Sequence, residues 1–466
     1  MNFDQIFKAY DIRGVYPDEI DEKKVKRITM AYARFLLKDS NQPPVPSSQS
    51  LRIAVGRDVR LSGPKLQKAV IDGLTEAGVN VEDIGPVPTE MLYFAVGFYH
   101  FDGGIQVSAS HNPAEFNGLK LVRSGVEAIS SDSGLKEIQA LAESDDNLAS
   151  LTEGTVETRD VEEDYFDYLT KFVHFDSAPA LKIVANNNFG LSGPLAQRFL
   201  ERLNSNHINL IELNFQPDGT FPKGRPDPSR PENRQETSEL IIETKADFGV
   251  AWDADGDRFF VVDEKGKAIE SCYLSALLTN HILQENPGQK IAYDQRTAWV
   301  NTKVITTAGG TPVLSRVGHA FYKSTMREND AVFGGELSGH FFFRDFYFAD
   351  NGLIPFLLFL NIVAKTKESV SEMVRLMEEK YIISGEINFE VSDKDKMLAK
   401  IEQQYADGSI DRTEGLSITF ESWRFNLRAS NTENLLRLNV EAKDKSTCDQ
   451  KTAELTELVN STNSKK

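Results

Sequence analysis

The sequence predicts an α/β protein: three related units that alternate strand and helix, followed by a smaller, strand-rich α+β tail. Three observations carry this reading. Short apolar runs alternate with stretches of helical period, and that rhythm recurs three times before residue 380. Beyond it, strand-like runs crowd together around one internal helix and a closing one. The length of 466 residues suits three or four domains at roughly 150 residues each.

In the first unit "LRIAVGRD" (51–58) reads as a strand entering a loop and "SGPKLQKAVIDGLTEAG" (62–78) as an amphipathic helix ended by Gly78. "NVEDIGPVPT" (80–89) is strand then turn, "MLYFAVGFYH" (91–100) helix, and "GGIQVSAS" (103–110) strand, an alternation that predicts mainly parallel pairing. The rhythm returns in "LKIVANNNFG" (181–190), "LSGPLAQRFLERLN" (191–204) and "HINLIELN" (207–214). It returns again in "KIAYDQ" (290–295), a helix near 298–308 and "TPVLSRVG" (311–318). No exact period is visible, which argues against a solenoid. The tail holds strands at 384–393, 415–422, 423–430 and 435–444, with a helix near 394–405 and another at the end. The acidic stretch 142–160 is the clearest boundary cue.

With 70 acidic and 52 basic residues the formal charge is −18, which opposes general affinity for nucleic acid or an anionic membrane. Local arginines and a metal can still invert the field where an anionic substrate binds. Two cysteines, Cys272 and Cys448, do not make a disulfide framework and suit a reducing compartment. The apolar run "GLIPFLLFLNIV" (352–363) is shorter than the roughly 20 residues a bilayer requires and reads as a buried helix. The N-terminal segment lacks the basic and apolar regions of a signal peptide, so the cytoplasm is the expected location.

Four segments carry chemistry. In "FGVAWDADGDRFFVVD" (248–263), Asp253, Asp255 and Asp257 alternate around Gly256, so a turn at a strand end can aim three carboxylates at one hard cation. An acidic solvated turn is the plainer alternative. An EF-hand fails because Arg258 stands where its glycine belongs and the flanks look like strands. "SASHNP" (108–113) places Ser110 beside His111; the serine is either a phosphate carrier next to a metal or part of a loop whose Ser and Asn bond their own backbone. "RASNTEN" (428–434) offers Arg428 and the short donors Ser430, Asn431 and Thr432 as a phosphate cradle, or equally a helix N-cap. "GELSGH" (335–340) sets Glu336, Ser338 and His340 between glycines, where Glu336 can accept from vicinal sugar hydroxyls or simply be solvated.

Together these segments resemble the α-D-phosphohexomutase superfamily, in its bacterial phosphomannomutase/phosphoglucomutase branch. "KAYDIRG" (8–14), "GRDVRLSG" (56–63), "DGTFPKGRPDPSRPEN" (218–233) and "SRVGH" (315–319) add to the match, and all occur in family order over nearly the whole chain. The resemblance implies four domains around a central cleft, three mixed-sheet α/β units (1–157, 158–267, 268–379) and a smaller α+β domain (380–466). It makes Ser110 the phosphorylated residue and leaves Ser108 as loop. Phospho-Ser110, Asp253, Asp255 and Asp257 then hold Mg²⁺, and Arg258 contacts the serine phosphate. Arg13 and Lys120 line the reacting phosphate, with Lys120 and His111 near the proton transfers. Glu336 and Ser338 bind sugar hydroxyls, His319 and His340 face the substrate, and Arg428, Ser430, Asn431 and Thr432 hold the phosphate that is not reacting.

Three positions depart from the family pattern. Ala254 stands where glycine is common, and Asn434 where proline is. Arg316 stands where some relatives carry lysine; it can bind phosphate but is a poor proton donor. The implied reaction moves phosphate between O1 and O6 of mannose or glucose through a phosphoserine and a hexose 1,6-bisphosphate, which also serves as activator. The alternatives are a phosphoglucosamine mutase, for which Leu337 is an atypical residue, a phosphatase using the same serine, and a non-catalytic sugar-phosphate sensor. Hexose phosphate is the expected partner, with the chain a monomer or dimer.

Overall fold

The structure is a computed structural model that describes residues 3–38, 50–175, 179–366, 368–430 and 435–463. These form two compact units, Met1–Ile269 with Ser338–Val370, and Glu270–Leu337 with Ser371–Lys466.

The first unit holds two mixed sheets. In the first sheet Arg52–Arg57 lies between Asn80–Pro86 and Gly103–Val107, all parallel, and Val156–Thr158 extends the parallel edge. The other edge is antiparallel: Phe116–Arg123 returns along Gly103–Val107, and Ile12–Val15 pairs with it. Alternation buries Ile53, Val55, Ile105, Val107, Leu119 and Leu121 in one core with the helices Glu22–Leu36, Gly63–Glu76 and Leu135–Glu143. The second sheet repeats the plan, with Leu181–Asn186 parallel to Ile208–Leu213 and Phe248–Trp252, and Phe259–Val262 returning antiparallel. Both sheets therefore end a central parallel strand in a loop that reverses into an antiparallel strand. The carboxyl end of such a strand is where open α/β sheets place their ligands. The late segment Ser338–Val370 adds the hairpin Phe341–Phe343/Ala349–Asp350 and the helix Leu353–Lys365. Its Phe356 meets Trp252 edge-on at 5.5 Å, and Gly352 accepts the Trp252 indole N–H at 3.0 Å.

In the second unit Lys290–Asp294, Thr311–Ser315 and Phe333–Gly335 are parallel strands, joined through the helices Ala298–Thr307 and His319–Asn329. A six-stranded antiparallel sheet follows, built around the paired strands Trp423–Ala429 and Leu435–Ala442 and closed by the helix Lys445–Asn463. Glu441 joins the two parts. Its carboxylate accepts from the backbone N–H groups of Ala298 and Trp299 at 3.0 Å each and pairs with the buried Arg424.

The helices read at 62–78, 91–100, 191–204, 298–308, 352–363 and 394–405 are present within two residues at each end. Two readings need correction. The strand read over 103–110 stops at Val107, because Ser110 adopts a left-handed φ of 49° that no strand accepts. The pairing that the alternation suggested as mainly parallel is mixed, as the family resemblance implied, because Phe116–Arg123 and Phe259–Val262 return antiparallel.

Candidate active site

Ser110 is buried in the loop after Gly103–Val107, and its hydroxyl donates to Asp253 Oδ2 at 3.0 Å across 143 residues of chain. His111 Nδ1 lies 3.0 Å from the same oxygen. Ser108 plays the other part that the sequence allowed: its Oγ accepts the Ser110 backbone N–H at 2.9 Å and donates to Asp58 at 2.7 Å. One serine shapes the loop and the other is aimed out of it.

Arg60 holds this loop from behind. It is fully buried and directs all five donors inward: Nε to Asp58 at 3.2 Å, Nη1 to the carbonyls of Pro113 (2.6 Å) and Phe116 (2.8 Å), and Nη2 to those of Ser110 (2.7 Å) and Asn112 (2.6 Å). Burial outweighs the mutual attraction of the pair, lowering the Arg60 pKa and raising that of Asp58. A pair that is electrostatically costly here serves geometry. From the front, Arg13 reaches the same loop through Asn112 Oδ1 (3.0 Å) and the Ala109 carbonyl (3.3 Å), while Asp11 binds its Nε at 2.7 Å. Arg13 faces Gly118 across the strands, and Lys120 lies two residues on, so period two puts both side chains on one face of the sheet.

Asp253, Asp255 and Asp257 each bring a carboxylate oxygen within 4.8 Å of the others, and all three are buried. The turn passes through Gly256 at φ 78°, with its Cα against Ser192. Burial rules out the solvated-turn alternative, and the flanking strands Phe248–Trp252 and Phe259–Val262 rule out an EF-hand. The three carboxyls differ. Burial, then Asp257 and Asp255, push Asp253 well above the ordinary range. Burial is again the largest influence on Asp255 and Asp257, but Lys120 with the Thr89 hydroxyl at Asp255, and Lys120 with His340 and Arg258 at Asp257, together bring both below. Lys120 Nζ sits 2.6 Å from Asp255 Oδ2 and also on Asp257 Oδ2, and these partners raise its own pKa well above normal despite burial. Three buried oxygen donors with few neutralising protons suit a hard divalent cation.

Second partners set the loop. Thr89 donates both its hydroxyl (2.7 Å) and its backbone N–H (2.8 Å) to Asp255. Asn188 donates to the Trp252 carbonyl at 2.8 Å. Arg258 binds back at 3.6 Å to Asp253 and 3.7 Å to Asp227, and its Nε is 3.3 Å from His340 Nε2. His340 in turn lies 2.8 Å from Ser338 Oγ and 3.3 Å from Asp257. Arg225 donates to the His111 carbonyl at 3.0 Å. Burial, then Arg258, Arg13 and Arg225, hold the His111 imidazole neutral by driving its pKa well down.

In the second unit Glu336 is buried, accepting the Gly318 N–H at 3.0 Å and pairing with Arg296 at 3.3 Å, so it is not merely solvated. His319 opens the helix His319–Asn329, and Arg316 is exposed with its guanidinium stacked 3.7 Å from the Phe321 ring. Arg428 is buried on the strand Trp423–Ala429, and Ser430 donates its N–H to Leu435 at 2.9 Å. A strand runs from Leu435 to Ala442. Asn431 and Thr432 lie outside the described residues. Arg60, Asp58, Thr89, Asn188, Arg225 and Asp227 had no role in the sequence reading. "GRDVR" placed Asp58 and Arg60 after a strand, and "NNN" marked a turn, but neither pattern says what the side chain reaches.

Four family models match the chain in order: Phosphoglucomutase/phosphomannomutase alpha/beta/alpha domain I over residues 4–149, domain II over 163–266, domain III over 271–381, and the C-terminal domain over 386–458. A phosphomannomutase of Salmonella montevideo is 42% identical over 99% of this chain and 100% of its own. The chain belongs to the phosphoglucomutase/phosphomannomutase family. A phosphomannomutase of Escherichia coli K12 is also 42% identical, covering 94% of each chain. The crystal structure of a Burkholderia thailandensis protein of the phosphoglucomutase/phosphomannomutase family matches with a TM-score of 0.86 at 30% identity, over 99% of this chain and 98% of that one. Among the described residues, no helix is long and apolar enough to cross a membrane.

Proposed function

We propose that this chain is a phosphohexomutase that interconverts hexose 6-phosphate and hexose 1-phosphate, with Ser110 as the phosphoryl carrier. Its relatives that are 42% identical are phosphomannomutases, which makes mannose phosphate the first substrate to test. The observation that carries the reading is the Ser110 hydroxyl, buried 3.0 Å from Asp253 of an acidic triplet whose carboxylate oxygens lie within 4.8 Å of one another and could hold a metal ion. Asp253, Asp255, Asp257 and the Ser110 oxygen are the ligands proposed for Mg²⁺, which when bound withdraws charge from a phosphoryl oxygen.

In the forward half-reaction the P–O bond to Ser110 Oγ breaks as one forms to a sugar hydroxyl. The hydroxyl gives up its proton, the freed serine oxygen takes one up, and a bisphosphate results. In the return half the P–O bond at the opposite sugar oxygen breaks as that phosphate passes to Ser110; the freed sugar oxygen takes up a proton and the serine proton leaves. Neutral His111, at 3.0 Å, is the group placed to hold that proton. Lys120, bound to two carboxylates, is better suited to steadying charge than to donating a proton. Arg13 and Arg258 supply guanidiniums to the reacting phosphate, while Glu336, Ser338, His340, His319 and Arg316 are assigned to the sugar and its approach. Arg428 and Ser430 are assigned to the idle phosphate. Transfer of this kind needs mainly positioning and charge stabilisation.

Intact-mass measurement after incubation with glucose 1,6-bisphosphate should show one added phosphate that Ser110→Ala cannot carry. A Ser110→Ala enzyme that isomerised mannose 6-phosphate at the wild-type rate would overturn the proposal. A coupled assay with mannose, glucose and glucosamine phosphates ranks the sugars, and release of free phosphate would indicate a phosphatase instead.

A further inference from the structure

Arg428 and Arg437 face each other directly across the antiparallel strands Trp423–Ala429 and Leu435–Ala442. Like charges at facing positions repel, so this arrangement needs an anion. The structure supplies one from within the chain. Glu386 Oε2 lies 3.2 Å from Arg428 Nη2, and its Oε1 lies 3.2 Å from Arg437 Nη1. Arg296 approaches the same carboxylate at 3.6 Å but already has Asp294 at 2.8 Å and Glu336 at 3.3 Å. One carboxylate thus spans two guanidiniums with one oxygen on each, which is how two oxygens of a phosphate monoester would sit.

One feature makes this carboxylate replaceable. The Glu386 side chain is 23% exposed, against 4% for Arg428 and 21% for Arg437, so an incoming anion meets the acid and the outer arginine before it reaches Arg428.

We propose that Glu386 is a resident competitor for the phosphate seat at Arg428 and Arg437: its carboxylate holds the seat until a phosphate monoester displaces it, and returns when the phosphate leaves. The proposal rests on the reading that Arg428 receives the idle phosphate of the substrate. Exchange has a use in that reaction. A bisphosphate that must turn round has to leave the seat once in each turnover, and a seat that binds too well traps it. A competing carboxylate weakens the seat and covers the arginines when the phosphate goes.

The test uses the full-length enzyme with Mg²⁺, inorganic phosphate as the probe, and turnover of mannose 6-phosphate. Glu386→Gln keeps the shape and removes the charge. It should tighten inorganic phosphate, read as inhibition constant and as phosphate-induced thermal shift, by roughly tenfold, the equivalent of one charge-assisted hydrogen bond no longer contested. KM for hexose phosphate should fall with it and kcat should fall as well, because release slows. Glu386→Asp, which retracts the carboxylate by one methylene, should move each value the same way by less, and it decides the matter if the glutamine variant does not fold. Unchanged or weaker phosphate binding in the folded variants overturns the exchange. Arg428→Ala separates the two readings. If it leaves KM and the phosphate shift unaltered, the seat itself is misassigned. If it raises KM while the Glu386 variants change nothing, only the exchange fails.

Discussion

Replacing Arg60 tests whether the serine loop is held in place by one buried guanidinium. In Arg60→Met, Asp58 remains buried without its counter-charge, at a cost of about 3–5 kcal/mol. The carbonyls of Ser110, Asn112, Pro113 and Phe116 lose their donor, each costing about 1–3 kcal/mol where water cannot enter. A loss of at least about 4 kcal/mol follows, read from the first unfolding transition in denaturant. The double variant Asp58→Leu/Arg60→Met removes the orphaned charge and should regain part of that stability. It should not regain turnover, because Ser108 loses its acceptor and the carbonyls remain unheld. Phosphoenzyme formation by intact mass and kcat should stay low in both variants, while KM for hexose phosphate moves little. Wild-type stability and kcat in Arg60→Met, or full kcat in the double variant, would refute the reasoning.

Removing divalent metal with EDTA should abolish turnover, and Mg²⁺ should restore it better than the larger Ca²⁺, measured by titration in the coupled assay. Asp253→Asn, which keeps the Ser110 contact but removes one ligand charge, should raise the Mg²⁺ concentration for half-maximal activity by at least about tenfold. Glu90 is buried with its Oε2 accepting the Gly352 N–H at 3.1 Å, and burial raises its pKa well above the ordinary range. The folded state therefore binds its proton more tightly than the unfolded state; the stability this gives is complete below about pH 4.3 and is lost as pH rises through the raised value. Glu90→Gln should flatten that loss, so its Tm relative to wild type should climb steadily from pH 5 to 8; a constant difference would show that Glu90 does not titrate there. Asn188→Ala frees the Trp252 carbonyl ahead of Asp253 and should lower Mg²⁺ affinity more than it lowers Tm.

Much of the layout was legible because apolar periodicity reports local structure directly. The helix at 353–365 was visible as an apolar run over 352–363 broken only by Asn361, and the strand Phe248–Trp252 as an apolar entry to an acidic turn. The acidic triplet was legible for the same reason, since its three carboxylates lie within five residues. What stayed hidden depends on contacts between distant segments. Nothing in "SASHNP" reveals that Ser108 bonds Asp58 while Ser110 bonds Asp253, because the choice is made by the left-handed turn at Ser110. Nothing near Arg428 reveals Glu386, 42 residues earlier and brought alongside only when its strand pairs with Leu435–Ala442. The return strand Phe116–Arg123 escaped notice because it begins inside a polar loop and is buried on both faces, so it lacks alternation.

The ammonium of Lys120, lying on two of the three buried carboxylates, bears on handling as well as on chemistry. A pocket of carboxylates with a built-in counter-ion does not rely on a bound ion to keep its walls from repelling. Such an enzyme should survive dialysis against chelator, storage and reloading with a chosen cation as one intact population, so ions can be compared on the same preparation.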